Sequence, residues 1–190
     1  MPNYFANLWK YFCGHMKAHI LGASGSGVTT LGRALSEATG KPYFDSDDYY
    51  WEQKFTIKRP ASKRNASMKA ALEAREDWIL GGSVVSWGEE VFPAFDLIVF
   101  LWIPREVRIK RLMERESERY GSAIQTDPVR KKLHDEFMDW AEGYDVPGAT
   151  IRSLSIHEAW MEKQTCRIVQ IRGDTSTAER VQICLKEFIT

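Results

Sequence analysis

The sequence has little cysteine, no long apolar run and no net charge. Only 3 of its 190 residues are cysteines and none forms a Cys-x-x-Cys pair, which argues against a disulfide scaffold or a zinc site. The longest apolar run, Leu97–Ile103, is too short to cross a membrane as a helix. Lysine plus arginine (26) equals aspartate plus glutamate (26), which argues against a dedicated nucleic-acid-binding protein. We therefore expect a cytoplasmic protein with reduced thiols.

The composition that remains is that of a folded domain. Hydrophobic residues make up 44% of the chain and aromatic residues 12%, which is enough to form a full core. We assign residues 16–190 to a single domain and the aromatic-rich residues 1–15 to an N-terminal extension. The extension either packs loosely or mediates contact with a second copy or a membrane surface, so both a monomer and a homodimer remain open.

Strand and helix signals alternate along the domain. Five short apolar runs predict strands, at residues 16–21, 42–44, 78–80, 97–103 and 167–171. Segments with helical spacing lie between or after them, at 29–39, 65–76, 104–120, 129–144, 156–163 and beyond Ser176. Repeated β-then-α order predicts an α/β fold with a mostly parallel sheet between two helical layers. The polar stretch 116–128 is predicted to be a mobile loop.

A glycine-rich loop joins the first predicted strand to the first helix. Gly22, Gly27 and Thr29 have the spacing of a phosphate-binding loop, Gly-x4-Gly-x-Thr. Glycines leave backbone N–H groups open to phosphate, and the helix N-terminus adds the positive end of its dipole. The predicted nucleotide-binding residues are Gly22, Ser24, Gly25, Ser26, Gly27, Val28, Thr29 and Thr30. The alternative is a tight turn without a ligand.

This loop lacks the lysine that usually precedes its threonine, because position 28 is valine. Losing one such preorganised charge contact typically lowers a rate by roughly 10²- to 10³-fold. Three interpretations follow: another cation replaces the lysine, catalysis is weak, or the protein only binds nucleotide.

Acidic residues follow the second predicted strand, at Asp45, Asp47 and Asp48. They belong to the carboxyl edge of the sheet, where ligands bind in open α/β folds. Carboxylates there can hold Mg²⁺ or accept a proton from an attacking hydroxyl. The alternative is a solvated acidic turn or a helix cap.

Arginines recur on the helix after the fourth strand, at Arg108, Arg111, Arg115 and Arg119, and their spacing puts them on one face. Such a stripe suits a polyphosphate, because guanidinium binds oxygens in pairs and keeps its charge. The alternative, which we favour for Arg108, is an exposed helix with glutamate partners. Basic residues between strands two and three, Arg59 and Arg64 among them, suggest an anionic substrate.

Four segments give the chain a resemblance to the P-loop small-molecule kinases, which include nucleoside-monophosphate, shikimate and gluconate kinases: GASGSGVTTLGRAL, YFDSDDYYW, WILGGS and FDLIVFLWIPREVRIKRLMERESERYG. The resemblance runs from Met16 to the C-terminus. It implies a five-stranded parallel sheet in the order 2-3-1-4-5, ATP with Mg²⁺, and a lid. It also implies an acceptor-covering insertion at about 49–76 and a lid at about 115–155.

The resemblance also implies roles for single residues. Thr29 would be a direct Mg²⁺ ligand, Asp45 would hold the metal through water, and Asp47 would contact the acceptor and act as a candidate base. The other implied positions are the lid arginines Arg111, Arg115 and Arg119, the acceptor-side residues Arg59, Arg64, Gly81, Gly82 and Arg152, and Gly173 beside the adenine. Among these, Arg115 is the first candidate to replace the missing lysine.

The implied activity is ATP-dependent phosphoryl transfer to a small, anionic acceptor, either a nucleoside monophosphate or a hydroxyl metabolite. The alternative is a nucleotide-binding regulator with little or no kinase activity, which the valine at position 28 keeps open.

Overall fold

The computed structural model describes residues 15–53, 55–88, 91–146, 148 and 152–189, so the predicted N-terminal extension lies almost wholly outside the described residues. The strands are β1 Lys17–Gly22, β2 Tyr43–Asp45, β3 Trp51–Gln53, β4 Ile57–Lys58, β5 Trp78–Gly81, β6 Leu97–Trp102 and β7 Arg167–Arg172. The helices are α1 Val28–Thr39, α2 Ser46–Tyr50, α3 Ala61–Glu73, α4 Arg105–Tyr120, α5 Ala123–Thr126, α6 Pro128–Glu142, α7 Leu154–Met161 and α8 Thr177–Ile189, with a short 3-10 helix at Gly143–Asp145.

The main sheet has five strands in the order β2-β5-β1-β6-β7, and all of them are parallel. Counted along the chain, this is the predicted order 2-3-1-4-5, with the strand before the glycine loop at the centre. Ile20 of β1 lies opposite Gly81 of β5 on one side and Val99 of β6 on the other. The predicted fold class is therefore confirmed.

Helices cover both faces of this sheet, which makes three layers. On one face, α1 and α8 contribute Leu31, Leu35, Cys184 and other apolar residues to a core shared with β1 and β6. On the other face, Met68 and Leu72 of α3 pack near the β5 end. Met161 of α7 packs beside β6 on that same face. Strands buried on both sides explain why their sequences are almost continuously apolar.

The prediction of a mobile loop at 116–128 is wrong. Helix α4 continues to Tyr120, α5 follows directly, and α6 begins at Pro128. Polar residues fill these helices because only part of their surface faces the core. The helix breaks at Gly121, which has a positive φ of 55°, and the Asp127 side chain caps α6 by accepting from the Val129 N–H at 2.9 Å.

Two of the three cysteines belong to the described residues, and neither forms a disulfide there. Cys166 and Cys184 are free thiols, and Cys13 lies outside the described residues. Burial raises the pKa of the Cys184 thiol to about 12. Within the described part of the chain, no helix is both long enough and apolar enough to cross a membrane.

Two histidines are buried inside this fold. The Nδ1 of His19 on β1 lies 3.1 Å from the Leu80 carbonyl oxygen, so Nδ1 carries the proton, and Nε2 has no partner. His157 on α7 lies between the Ser83 hydroxyl, 3.0 Å from Nε2, and the Tyr144 hydroxyl, 2.8 Å from Nδ1. Burial lowers the pKa of His19 to about 4 and that of His157 to about 3.

These histidines should make the fold sensitive to acid. An unfolded histidine binds its proton near pH 6.5, whereas the folded protein binds it only near the lowered pKa values, about 4 for His19 and about 3 for His157. The unfolded state therefore holds more protons between these limits. The free energy of unfolding should be fully retained above pH 6.5 and fall at lower pH by about 1.4 kcal/mol per pH unit for each histidine. Urea unfolding at a series of pH values measures this slope.

Two variants test whether the buried His19 ring causes the pH dependence of the free energy of unfolding. His19→Asn keeps a side-chain N–H for the Leu80 carbonyl and removes the titration, so its stability should fall less steeply with acid. His15→Gln alters an exposed histidine and should keep the wild-type slope. Equal slopes for wild type and His19→Asn would contradict the prediction.

Candidate active site

The glycine loop turns twice through the left-handed region, at Gly25 with φ 82° and Gly27 with φ 97°. A Cβ on Gly25 would lie 3.0 Å from the Arg108 carbonyl oxygen and 3.1 Å from Leu112 Cγ, so the loop packs closely against α4. Gly27 is the N-cap residue of α1. Since the first N–H groups of a helix have no partner within it, the loop and the first turn of α1 present donors to an anion.

The Val28 side chain does not contribute to this anion-binding surface. It packs against the core cluster formed by β1, β6, α1 and α8. In the usual loop motif this position carries a lysine, whereas here its side chain packs against the core. Any positive charge at the phosphates therefore has to come from another element.

Thr29 and Asp45 meet beside the glycine loop. The Thr29 hydroxyl donates to Asp45 Oδ2 at 3.2 Å, and the Tyr43 hydroxyl approaches the same oxygen at 3.4 Å. Burial and the Asp45 charge raise the pKa of Tyr43, so its hydroxyl stays protonated as a donor. A hydroxyl and a carboxylate at a helix N-terminus are the two predicted Mg²⁺-side groups, and the fold brings them into direct contact.

Asp47 is held two residues further along the same acidic segment. Asp45 caps α2, and its Oδ1 accepts from the Asp47 N–H at 3.0 Å. A Cβ on Gly82 (φ 98°) would collide with the Ser46 side chain, so glycine there lets the start of α2 approach the end of β5. A Cβ on Gly81 would likewise meet the Tyr43 ring. The small size of both glycines therefore serves packing within the chain, and their contact with an acceptor stays a prediction.

The four arginines of α4 do not share one environment. Arg108, which we expected to be exposed, is fully buried and pairs with Asp145, and its Nη1 donates to the Ala141 carbonyl at 3.2 Å. Arg111 pairs with Asp174 at 2.6 Å, next to the turn after β7. The expectation for Arg108 is wrong because α6 and the 3-10 helix, distant in sequence, cover that part of α4.

The two arginines nearest the lid face the acidic segment and the hairpin. Burial and the neighbouring Arg119 lower the pKa of Arg115, while the charges of Glu116 and Asp47 oppose that shift, so Asp47 lies within electrostatic range of Arg115. Its Nε is buried without a hydrogen-bond partner. The guanidinium of Arg119 stacks over Phe55 at 4.9 Å, which joins α4 to the turn between β3 and β4.

A basic and aromatic wall lies in and beside the predicted acceptor-covering insertion. The Arg64 guanidinium lies over the Trp87 ring at 4.2 Å and over the Tyr50 ring at 5.4 Å. Burial lowers its pKa, and it pairs with no carboxylate among the described residues. Arg59 donates to the Trp51 carbonyl at 3.3 Å. Both predicted acceptor-side arginines therefore lie on this wall, and neither makes a short ion pair with a carboxylate of the described part of the chain.

Comparison with known proteins identifies a family. No family model matches the chain. The chain is 43% identical over 163 residues to the uncharacterised protein YqaC of Bacillus subtilis (strain 168), across 86% of this chain and 92% of YqaC. The chain belongs to the YqaC family.

Solved structures show which fold the YqaC family has. Shikimate kinase from Acinetobacter baumannii superimposes with a TM-score of 0.56 at 19% identity, over 95% of this chain and 96% of that one. Gluconokinase from Sinorhizobium meliloti 1021 gives 0.51 at 17% identity, over 91% of each chain. Deoxyadenosine kinase from M. mycoides gives 0.51 at 12% identity, over 90% of this chain and 98% of that one. At such identities the likeness shows the fold alone, which is that of the P-loop kinases.

Two other predicted site residues of this YqaC-family chain differ in what surrounds them. Gly173 forms a left-handed turn (φ 106°) at the end of β7, and the space on its Cβ side is open. The structure leaves room for an adenine there, and adenine binding at Gly173 remains a prediction. Arg152 lies over the Trp140 ring at 5.7 Å, and its described contacts are with α6 rather than with the glycine loop. Its role at the phosphates or the acceptor stays a prediction.

Sequence reasoning missed Arg180, which contacts the glycine loop from α8. Its Nη1 donates to the Ser26 carbonyl at 2.6 Å although 154 positions separate the two residues. No local pattern marks this arginine, because α8 otherwise has the spacing of an ordinary core-packing helix. Only the folded arrangement reveals the contact.

Proposed function

We propose that this protein transfers the terminal phosphoryl group of ATP to a small, anionic acceptor. The observation that carries the proposal is the hydrogen bond between Thr29 and Asp45 directly after the glycine loop. Asp47, two residues further on, lies close enough for its charge to influence the pKa of Arg115. Phosphoryl transfer needs little covalent chemistry and depends on positioning and charge stabilisation, which these groups can provide. The kinase names of the structural neighbours support the same reaction class.

The Thr29 and Asp45 side chains fit a Mg²⁺ ion. Mg²⁺ is held in such sites by one or two protein oxygens, by waters and by substrate phosphates, so a protein cage is not required. This agrees with the described residues, which contain no cluster of three or more histidine, cysteine, aspartate or glutamate side chains suited to a metal. When bound, the ion would neutralise charge on the phosphates. Thr29 would then ligate it directly and Asp45 would orient a bound water.

The acceptor is anionic in this proposal because of the basic and aromatic wall in the predicted acceptor-covering insertion. The Lys58 ammonium and the Arg64 guanidinium lie over the Tyr50 ring there. Arg59 donates to the neighbouring Trp51 carbonyl, and none of the three pairs with a carboxylate among the described residues. A partly desolvated guanidinium gains most from a carboxylate or phosphate that it can bind with two N–H groups. Asp47 would contact the acceptor's reacting oxygen.

A panel of acceptors tests the reaction. ATP and Mg²⁺ are incubated with nucleoside monophosphates, sugar acids and hydroxyl carboxylates, and ADP release is measured against the protein alone. We expect at least one anionic acceptor to raise ADP release well above the hydrolysis background. ATP or ADP binding without any acceptor-stimulated release would replace the kinase with the second candidate, a nucleotide-binding regulator, which the packing of Val28 in the core favours.

Removing the carboxylate charge at Asp45 should greatly weaken the effect of Mg²⁺ on ATP binding. Asp45→Asn keeps a cap for α2, since asparagine caps helices as well as aspartate does, so the fold should survive. We expect Mg²⁺ to tighten ATP binding by wild type and to tighten it at least about tenfold less in the variant. Calorimetric titration with and without Mg²⁺ measures this difference.

Asp48→Asn is the matched control, because it removes the same charge from an exposed residue of α2. It should retain the wild-type response to Mg²⁺. If Mg²⁺ tightens ATP binding equally in Asp45→Asn and in wild type, Asp47 would replace Asp45 as the proposed metal-side carboxylate.

A further inference from the structure

Arg180 is buried between the glycine loop and the turn that follows β7. Its side chain is 5% exposed although it carries a full charge. Besides the Ser26 carbonyl, it donates from Nε to the Thr175 hydroxyl at 3.0 Å and from Nη2 to the Gly173 carbonyl at 3.4 Å. One guanidinium therefore joins the two loops that flank the proposed nucleotide site.

The contact at Ser26 acts on the phosphate-binding surface through a single peptide group. The Ser26 carbonyl and the Gly27 N–H belong to the same amide, and Gly27 is the N-cap of α1. A strong donor on the carbonyl oxygen polarises the amide, so the N–H on its other side becomes a better donor. Glycine at position 27 permits this approach, because a Cβ there would lie 2.9 Å from Arg180 Nη1.

The surroundings of Arg180 leave positive charge uncompensated. Asp174 is the nearest carboxylate, 4.0 Å from Arg180 Nη2, but it makes a closer pair with Arg111 at 2.6 Å. Burial and the charge of Arg111 lower the pKa of Arg180, while Asp174 opposes that shift. Two guanidiniums sharing one carboxylate carry a net charge of about +1 behind the loop.

We propose that Arg180 is a positioning residue for nucleotide phosphates, which supplies through the Ser26–Gly27 peptide part of the positive potential that a lysine at position 28 would supply. Arg180 does not touch the phosphates in this proposal, and it strengthens and orients the backbone donors that do. The inference rests on the proposed nucleotide site at the glycine loop and assigns the charge behind it.

Calorimetric binding of ADP and of inorganic tripolyphosphate, which has no base, tests the proposal. Arg180→Gln keeps a side-chain donor and removes the charge, and we expect it to weaken both ligands by about 10- to 100-fold. Arg180→Lys keeps the charge and should stay within about fivefold of wild type. Arg167→Gln removes an exposed arginine that pairs with Glu187 and should leave both affinities unchanged.

A second variant predicts a change of the opposite sign and does not remove the buried side chain. Asp174→Asn removes the carboxylate shared by the two arginines, so the potential at the loop rises and ADP should bind about two- to fivefold tighter. Asp174→Asn tests the electrostatic role of Arg180 even if Arg180→Gln fails to fold.

The outcomes separate this inference from the proposed function. If wild type binds neither ligand, the nucleotide site itself is wrong. If wild type binds both and Arg180→Gln binds them equally well, or loses ADP but keeps tripolyphosphate, the phosphate role of Arg180 is overturned. Weaker ADP binding by Asp174→Asn would also overturn it, since a purely structural role predicts loss and the electrostatic role predicts gain.

Discussion

Replacing Arg115 with alanine should lower kcat by about 10²- to 10³-fold, the scale expected for losing a charge contact to the transferring phosphoryl group. The Nε of Arg115 is buried without a hydrogen-bond partner, and the charge of Asp47 influences the pKa of Arg115. The ion pair of Arg115 with the buried Glu116 is long, at 3.7 Å, and Glu116 keeps a similar contact with Arg119 at 3.6 Å when Arg115 is removed. The melting temperature should therefore fall by only a few degrees. Steady-state kinetics with the acceptor found in the panel measure the effect.

The control variant for this prediction is Arg130→Ala. Arg130 also belongs to the predicted lid, and it stacks over the Tyr120 ring at 4.0 Å much as Arg115 stacks over the Phe137 ring at 5.6 Å. It has no described contact with the acidic segment. We expect kcat to stay within about threefold of wild type. Equal losses in the two variants would assign the effect to general lid packing.

A lysine at position 28 gives a further test of the same charge. If Arg115 takes over the role of the missing lysine, Val28→Lys should restore part of the activity of Arg115→Ala. Val28 packs at the edge of the core, and a lysine can keep its aliphatic part there while its ammonium group extends outward. No restoration in a folded double variant would mean that the two positions have separate roles.

The centre of the main sheet could be predicted from the sequence because β1, β5 and β6 are almost wholly buried. Residues 97–101 of β6 are all buried, so their composition alone marks them as a strand. The hairpin of β3 and β4 and the short α2 could not be predicted, since they comprise three, two and five residues. Elements this short have too few positions to show a period.

The site could be predicted only where its residues are close in sequence. The glycine loop and the acidic segment each form one local pattern, and the parallel sheet brings their ends together. The local sequence does not determine the environment of an arginine. Arg108 and Arg115 share one helical face, yet Arg108 is buried against Asp145, whereas Arg115 lies within electrostatic range of Asp47. The role proposed for Arg180 depends on a contact between α8 and the glycine loop, and no spacing of residues in the sequence predicts that contact.

Replacing Asp47 with asparagine should lower kcat by about 10²- to 10⁴-fold when the acceptor reacts through a hydroxyl group. A hydroxyl must lose its proton as it attacks, and Asp47 is the carboxylate that the Asp45 cap holds opposite Arg115. Asparagine preserves the size and the turn but cannot accept a proton. The measurement is kcat and KM for the acceptor, with Asp48→Asn as the control for loss of charge on α2.

The same variant should behave differently with a phosphate acceptor. A monophosphate oxygen carries no proton above its second pKa of about 6, so its attack needs no base, and the loss in kcat should stay below about tenfold. The size of the loss therefore distinguishes the two acceptor classes. A raised KM with unchanged kcat would make Asp47 a binding residue only. A hydroxyl acceptor that reacts at the wild-type rate in Asp47→Asn would contradict the prediction, because no other carboxylate of the acidic segment has both a fixed position and an interaction with Arg115 within the described residues.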